Sequence, residues 1–554
     1  MSTTKIRGDF SRRDLLRVGA MVSVAPLVAG VTSCGPGGPH TESRNGKLAT
    51  LPAYVDPPQI DGSILPKVPG VPIGYTKLPL ELVTTVPEPP GRGGPLTHFS
   101  ITWGAPETPL ANNKWWQGLN KRLSCDFQMT SVPASNYDAK FATMLASGQL
   151  AEVVQLMNTA ACTKAVQQGA FADLTDDLVG DKIKEYPNLA NVRPDQWEAS
   201  SIGGRIYGVP IDIPAVQPQF RLRTDWAEKL GLSKNPETAE ELADLLTAMS
   251  KGRPAGGKQA WGVTAYPGTI AVVANAMFHV PNQWRLTDGK LENMIETDEY
   301  AAALGWLRDL WAAGAFHPDA LALGTQSAKD LGLISSGQVG LSSVSAQNWY
   351  LPGPYRTAID AGGLEPYVPR KHDGSGPALF ARSSGSYGIN ALSAEAAKDP
   401  KRRKEMLRIF NYLRAPVGSA EWYYCKYGEP GDYYEPRTTP GLPKAIEGRN
   451  ITTDRGTLYY GCAPQAWIFP EVAECMKINE EMVASSAPDP VQGLLSATND
   501  ARAAQLSQLG QTYVNAIISG QRPLTDLEEY RTKWREQGGD KIRDEYQQAL
   551  DTRE

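Results

Sequence analysis

FATMLASGQLAEVVQLM, residues 141–157, changes its period half-way. The first part continues a helical pattern that starts near Tyr137 and stops at Ser147-Gly148. The second, Glu152 to Met157, reads as a short buried strand. Working outward, Cys125 to Val132 reads as a strand, Asn113 to Ser124 as a helix and Thr97 to Trp103 as an alternating strand. Strands separated by helices of this length predict an α/β fold built on a mostly parallel sheet covered on both faces.

Beyond this unit the chain is richer in helix. Thr238-Ala-Glu-Glu241 is a capping box in front of an apolar run. Tyr300, Leu304, Leu307 and Trp311 share one helical face that ends at Gly314. Asp399-Pro400 places a cap and a first-turn proline before a helix whose stripe is Met406, Ile409, Phe410 and Leu413. Aromatic and methionine residues at such spacing are core positions. Proline supplies about one residue in five from Gly35 to Gly94, which predicts an extended tether or surface-hugging segment. Its GRGG, residues 91–94, is followed by a strand and not a helix, so it is no phosphate loop.

The first residues form a leader. Arg12-Arg13 precede an apolar stretch, Val18 to Val31, that is too short to span a membrane. The arginine pair resembles a twin-arginine export signal, and Val31-Thr-Ser-Cys34 resembles a lipobox with Cys34 as the lipidated residue. The expected location is the extracytoplasmic membrane face, with the lipid as the only membrane attachment. The roughly 520 residues beyond Cys34 suit two or more domains. A net charge of -5 excludes a nucleic-acid partner that demands a basic surface. Cys125, Cys162, Cys425, Cys462 and Cys475 show no metal-ligand spacing; one pair among the last three is open, and no metal or other cofactor is expected.

Several segments carry a resemblance in a common order: residues 141–157, then GAFADLTDDL (169–178), GGRIYGVP (203–210), LRTDWAEKLGL (222–232) and ISSGQVGL (334–341). MLRIFNYLRAPVGSAEWYY (406–424), YGEPGDYY (427–434) and the tail from Ile517 to Leu550 continue it. Together they resemble the bacterial extracellular solute-binding proteins of carbohydrate ABC importers, in the long lipoprotein branch that includes alginate-oligosaccharide and aldouronate binders. The resemblance implies a two-lobed periplasmic-binding-protein-like (type II) fold with a multi-strand hinge. It places the signal at 1–33 and the tether at 34–94. Lobe 1 takes 95–213 and 386–465; lobe 2 takes 214–385 and the helical 466–554. The implied partners are a carbohydrate between the lobes and the permease subunits of an importer, with the protein itself a non-catalytic monomer.

A sugar offers an apolar C–H face to an aromatic ring and a rim of hydroxyls to amides, carboxylates and guanidinium groups. Trp103 ends the first strand, where parallel sheets place ligands. Trp115 and Trp116 point about 100° apart on one helix, so one is expected in the core and the other toward the cleft. Asn158 and Thr159 follow the third strand, where relatives hold polar sugar contacts. Asp212 stands at the expected hinge, held by sugar hydroxyls or by Arg221 or Arg223; Arg223 is itself a candidate for the sugar rim. Asn348 and Trp349 occupy the place of a second-lobe stacking aromatic, and Tyr387 and Tyr433 complete the candidates. Many relatives carry an acidic calcium loop after the helix near Met249; here SKGRPAGGKQAWGVT, 250–264, holds no acid, so no calcium is expected. A tethered glycoside hydrolase or lyase is the alternative from another class, although no motif pairs two carboxylates. A non-sugar cargo or a sensory role on the same fold is the third reading.

Overall fold

The computed structural model describes Leu48 and residues 50–552, apart from 103–105, 253, 324–327, 351–353, 457–463 and 465. Following the chain, β1 (Ser63–Ile64) and β2 (Ile73–Tyr75) form an antiparallel pair. The first large sheet takes β3 (Pro95–Thr102), β4 (Asp126–Pro133), β5 (Val153–Met157) and β6 (Gly208–Asp212). The chain then crosses to β7 (Pro218–Arg223), the hairpin β8 (Trp284–Thr287) and β9 (Lys290–Asn293), β10 (Leu341–Ser345), β11 (Leu364–Tyr367) and β12 (Phe380–Ala381). It returns as β13 (Ser386–Leu392), and β14 (Ala466–Ile468) and β15 (Ser486–Ala487) close the list of strands.

In the first sheet the order is β4-β3-β5-β13-β6, with β3, β4 and β5 parallel and β13 antiparallel to both its neighbours. In the second it is β10-β7-β11, with β7 antiparallel to both; parallel bridges Trp261–Val339 and Val263–Phe316 extend this sheet. Each strand that arrives from the other lobe thus lies against the direction of the sheet it enters. Gly388 is required at one of these arrivals. It has φ +153°, a β-bulge breaks the β13–β6 register there, and a Cβ would stand 2.1 Å from the Leu156 carbonyl oxygen.

Lobe 1 is covered on both faces. Leu96, Phe127 and Val153 pack with Trp115 and Leu119 of helix Lys114–Leu123 and with Met406 and Phe410 of helix Pro400–Leu413. Phe99, Ile101, Val154 and Leu156 pack on the opposite face against Tyr137, Phe141, Cys162 and Val166. The caps follow the local chemistry: Asn113 Oδ1 accepts from Trp116 N at 2.9 Å, and Asp399 Oδ1 from Lys401 N at 2.9 Å. Lobe 2 is organised round Phe220 and Leu222, with Leu242, Ile270, Leu304 and the C-terminal helices Ala497–Ile518, Leu527–Trp534 and Asp540–Asp551. Cys425 lies in the lobe 1 core and Cys475 in the lobe 2 core, so these two do not pair with each other; Cys462 falls outside the described residues.

The proline-rich segment is not a tether along its described length. Val71 is buried in the lobe 2 core while Tyr75 and Leu78 are buried in that of lobe 1, so this stretch links the two. β14 pairs in parallel with β2, and Ala215 N donates to Gly70 O at 2.9 Å beside the first crossing. Buried Glu421 accepts from Thr85 N, Thr85 Oγ1 and Val86 N at 2.8–3.1 Å. Prolines conceal this in the sequence, because they suppress periodicity without preventing burial.

Candidate functional site

β5 ends at Met157, and the next two residues turn out of the sheet. Asn158 Nδ2 donates to Ser386 O at 2.9 Å, which ties the end of β5 to the start of β13. Thr159 caps helix Ala160–Gln167, its side chain accepting from Cys162 N. Both residues line an open cavity of about 230 Å³. Lobe 1 contributes Thr163, Ser200 and Ser201 to it, and Ser384 comes from the second crossing. Facing them from lobe 2 are Gln492, Ser496, Asn499, Asp500 and Tyr546. Ser496 caps helix Ala497–Ile518 by accepting from Asn499 N at 3.0 Å, so the first turn of that helix is presented to lobe 1. The wall mixes short hydroxyls and amides with apolar side chains such as Leu156, Ile202, Leu494 and Leu495, which suits a ligand that carries both hydroxyl groups and apolar C–H faces.

The charges here sit on the lobe 2 side. Burial raises the Asp500 carboxyl above its ordinary range, Glu545 reinforces the shift and Lys164 opposes it. Glu545 goes the other way despite its burial, because Ser496 and Thr498 donate to it; Ser496 Oγ and Thr498 N lie at 2.5 and 2.9 Å. Tyr546 stays protonated: burial raises it first, then Asp489, Asp500 and Glu545. Asp489, behind Tyr546, is pushed up to about 6 by burial, partly offset by the hydrogen bond from Val491 N at 3.1 Å. A carboxyl with a raised folded pKa contributes most below its unfolded value and loses that contribution as pH rises to about 6. Asp489→Asn keeps the acceptor for Val491, so it is expected to raise stability by ~2 kcal/mol at pH 7.5 and to change little at pH 4. Urea titrations at the two pH values check this.

Of the residues singled out in the sequence, Asn158 and Thr159 reach this cavity and most of the others do not. Trp103 and Cys34 lie outside the described residues. Trp115 and Trp116 are both core, at 1% and 7% exposure. Two directions on one helix proved compatible with one core because the sheet edge and helix Ala420–Tyr427 enclose that helix: Trp115 Nε1 donates to Tyr424 O at 3.3 Å and Trp116 Nε1 to Phe127 O at 2.8 Å. Trp349 is likewise buried completely, donating to Gln219 O at 3.0 Å with its ring edge-on to Tyr355, while Asn348 beside it is exposed. Tyr433 is buried in lobe 1 and bonds Asp454, which fastens the YGEPGDYY loop. Tyr387 is half-buried on β13.

Asp212 is buried and paired, but with neither Arg221 nor Arg223. Its partner is Arg414 at 2.7 Å, at the end of helix Pro400–Leu413. Arg221 turns into lobe 2 and donates to Tyr350 Oη at 2.7 Å; Arg223 binds Asp225 through two 2.7 Å hydrogen bonds and lies over Trp226. The Asp212–Arg414 pair lines a second cavity, about 260 Å³, whose walls are proline-rich and come largely from lobe 1 and the N-terminal segment. The lobe 2 wall of the first cavity, from Gln492 to Asp500 and Tyr546, went unread in the sequence. Its one local signal is the helix start Ser496-Ala-Thr-Asn-Asp500, and only folding brings that start opposite Asn158.

Known proteins match this arrangement. Residues 125–399 fit the family described as bacterial extracellular solute-binding protein. The chain belongs to that family. Lipoprotein LipO of Bacillus subtilis (strain 168) is 28% identical to this solute-binding protein over 224 residues, 39% of this chain and less than half, 43%, of LipO. The polygalacturonan/rhamnogalacturonan-binding protein YtcQ of the same strain is 22% identical over 490 residues, 83% of this chain and 93% of YtcQ. Among solved structures, an HMO-binding ABC-transporter-associated solute-binding protein from Bifidobacterium longum infantis ATCC 15697 has a TM-score of 0.61 at 17% identity, covering 83% of this chain and 99% of that one. Alginate-binding protein AlgQ2 without calcium ion has 0.61 at 16%, covering 85% and 100%. The two-lobed fold expected of the sequence is thus the fold of this solute-binding protein. Its family consists of extracellular binding proteins, not enzymes, and among the described residues no helix is long and apolar enough to cross a membrane.

Proposed function

We propose that the protein captures an oligosaccharide in the cavity between its lobes and hands it to the membrane permease of an ABC importer. The observation that carries this reading is the cavity itself: hydroxyl and amide side chains from both lobes, beside the strands on which the lobes would turn. Relatives named for binding polygalacturonan and rhamnogalacturonan, HMO and alginate support a sugar as the cargo. A ligand that touches both walls favours the closed arrangement by the difference in its affinity for the two states. The working division keeps lobe 1 as 95–213 with 386–465 and lobe 2 as 214–385 with 466–554. The N-terminal segment joins the hinge. Export as a twin-arginine lipoprotein, anchored through Cys34 and acting as a monomer, completes the reading.

Binding without turnover is favoured over hydrolysis by the count of acids. A glycosidase needs two carboxylates across the scissile bond. Among the described lining residues Asp500 is the one carboxylate, and Glu545 is committed to Ser496 and Thr498. Calorimetry against a panel of oligosaccharides, with chromatography of the mixtures afterwards, tests the reading: micromolar or tighter binding with intact sugar supports it, and cleavage or no binding at all contradicts it. In that assay Asn158→Ala, which removes a side chain from the wall and frees the β5–β13 junction, is expected to weaken binding by up to about tenfold.

A further inference from the structure

We propose that the cavity selects neutral oligosaccharides against uronic-acid ones. The inference rests on the sugar-capture reading above and adds the class of sugar. Among the described lining residues there is no lysine or arginine, and the one formal charge is the Asp500 carboxylate. Recognition of a carboxylate ordinarily uses the paired donors of a guanidinium or an ammonium group. Arg382, two residues from the lining Ser384, is spent on Ser486 Oγ and Val483 O, and Arg502, on the helix that carries Asp500, donates to Gln505 Oε1.

Of the groups that act on Asp500, Glu545 adds to its negative charge and Lys164 opposes it. Glu545 lies on the helix packed beside it, its carboxylate 3.9 Å from Lys541, and Lys164 is exposed on helix Ala160–Gln167. Two like charges about 6 Å apart at an effective dielectric of about 20 repel enough to cost roughly a hundredfold in affinity. A neutral sugar meets no such term, and its hydroxyls are good donors to the same carboxylate. The consequence differs from what the name of one relative suggests, since YtcQ is named for polygalacturonan, an acidic polymer, and rhamnogalacturonan.

The test compares β-1,4-galactotetraose, xylotetraose, mannotetraose and kestose with tetragalacturonate and tetraguluronate, by calorimetry on the whole protein at fixed ionic strength. At least one neutral sugar is expected to bind, with each uronide weaker by about a hundredfold or more. Asp500→Asn is expected to narrow that gap by at least tenfold, and Thr163→Lys, which adds a cation to the opposite wall, to narrow it independently; melting curves verify that both variants fold. Uronides that bind as tightly as the neutral sugars overturn the inference and leave the sugar-capture reading standing. A gap that neither variant narrows overturns the assignment to this cavity. Failure of every sugar overturns the reading itself and the inference with it.

Discussion

Replacing Arg414 by methionine is expected to lower the unfolding free energy by about 3–5 kcal/mol, because it strands the Asp212 carboxylate in a buried site. The two side chains are 2% and 4% exposed and 2.7 Å apart. Their position makes the pair more than a core contact: Asp212 is the last residue of β6, where the chain leaves lobe 1, and Arg414 caps the end of helix Pro400–Leu413. The pair therefore fixes the lobe 1 end of the first crossing. The double variant Asp212→Leu with Arg414→Met removes both charges and is expected to recover most of the loss, since an apolar replacement of a buried pair is often close to neutral. Urea unfolding of the single and double variants separates the two outcomes. A single variant that loses less than about 1 kcal/mol would show that the carboxylate finds other solvation.

Trp349→Ala carries the second large effect. The ring is fully buried, edge-on to Tyr355 at 5.2 Å between centroids, with Arg221 5.3 Å from its centre. Truncation removes that packing and leaves a cavity, at a cost of about 3–5 kcal/mol. A stacking platform for sugar would behave differently, losing affinity while keeping its stability. The expected result is a large fall in melting temperature, with sugar affinity of the folded fraction within about twofold of the parent at a temperature where both remain native. Trp349→Phe is expected to lose less, retaining most of the apolar contact but leaving Gln219 O without its donor.

These two residues also show what the chain reveals before it folds. The lobe 1 alternation was legible because its helices and strands are local: caps at Asn113 and Asp399 and the stop at Gly148 are set within a few residues. Asn158 and Thr159 were legible for a related reason, since the end of a parallel strand points toward the cleft wherever the sheet is placed. Burial of the tryptophans was not. An aromatic beside a strand end has the same local pattern whether a neighbouring lobe or solvent covers it, and the cover for Trp349 comes from Gln219 and Tyr355. The partner of Asp212 lies 202 residues away in sequence, whereas the guesses were within eleven. The lobe 2 wall is assembled the same way, from residues that meet Asn158 and Thr159 after more than three hundred intervening positions.

The measurement that tests the account most directly is the distance between the lobes with and without sugar. Spin labels at Lys140→Cys on helix Tyr137–Ser147 and Lys541→Cys on helix Asp540–Asp551 sit on exposed positions of opposite lobes, while Cys125, Cys162, Cys425 and Cys475 are buried. Titration with a bound oligosaccharide is expected to shift the distance distribution to one narrower and displaced population that saturates with the calorimetric stoichiometry. A distribution that stays unchanged at saturating, calorimetrically verified sugar would contradict capture by closure of the two lobes.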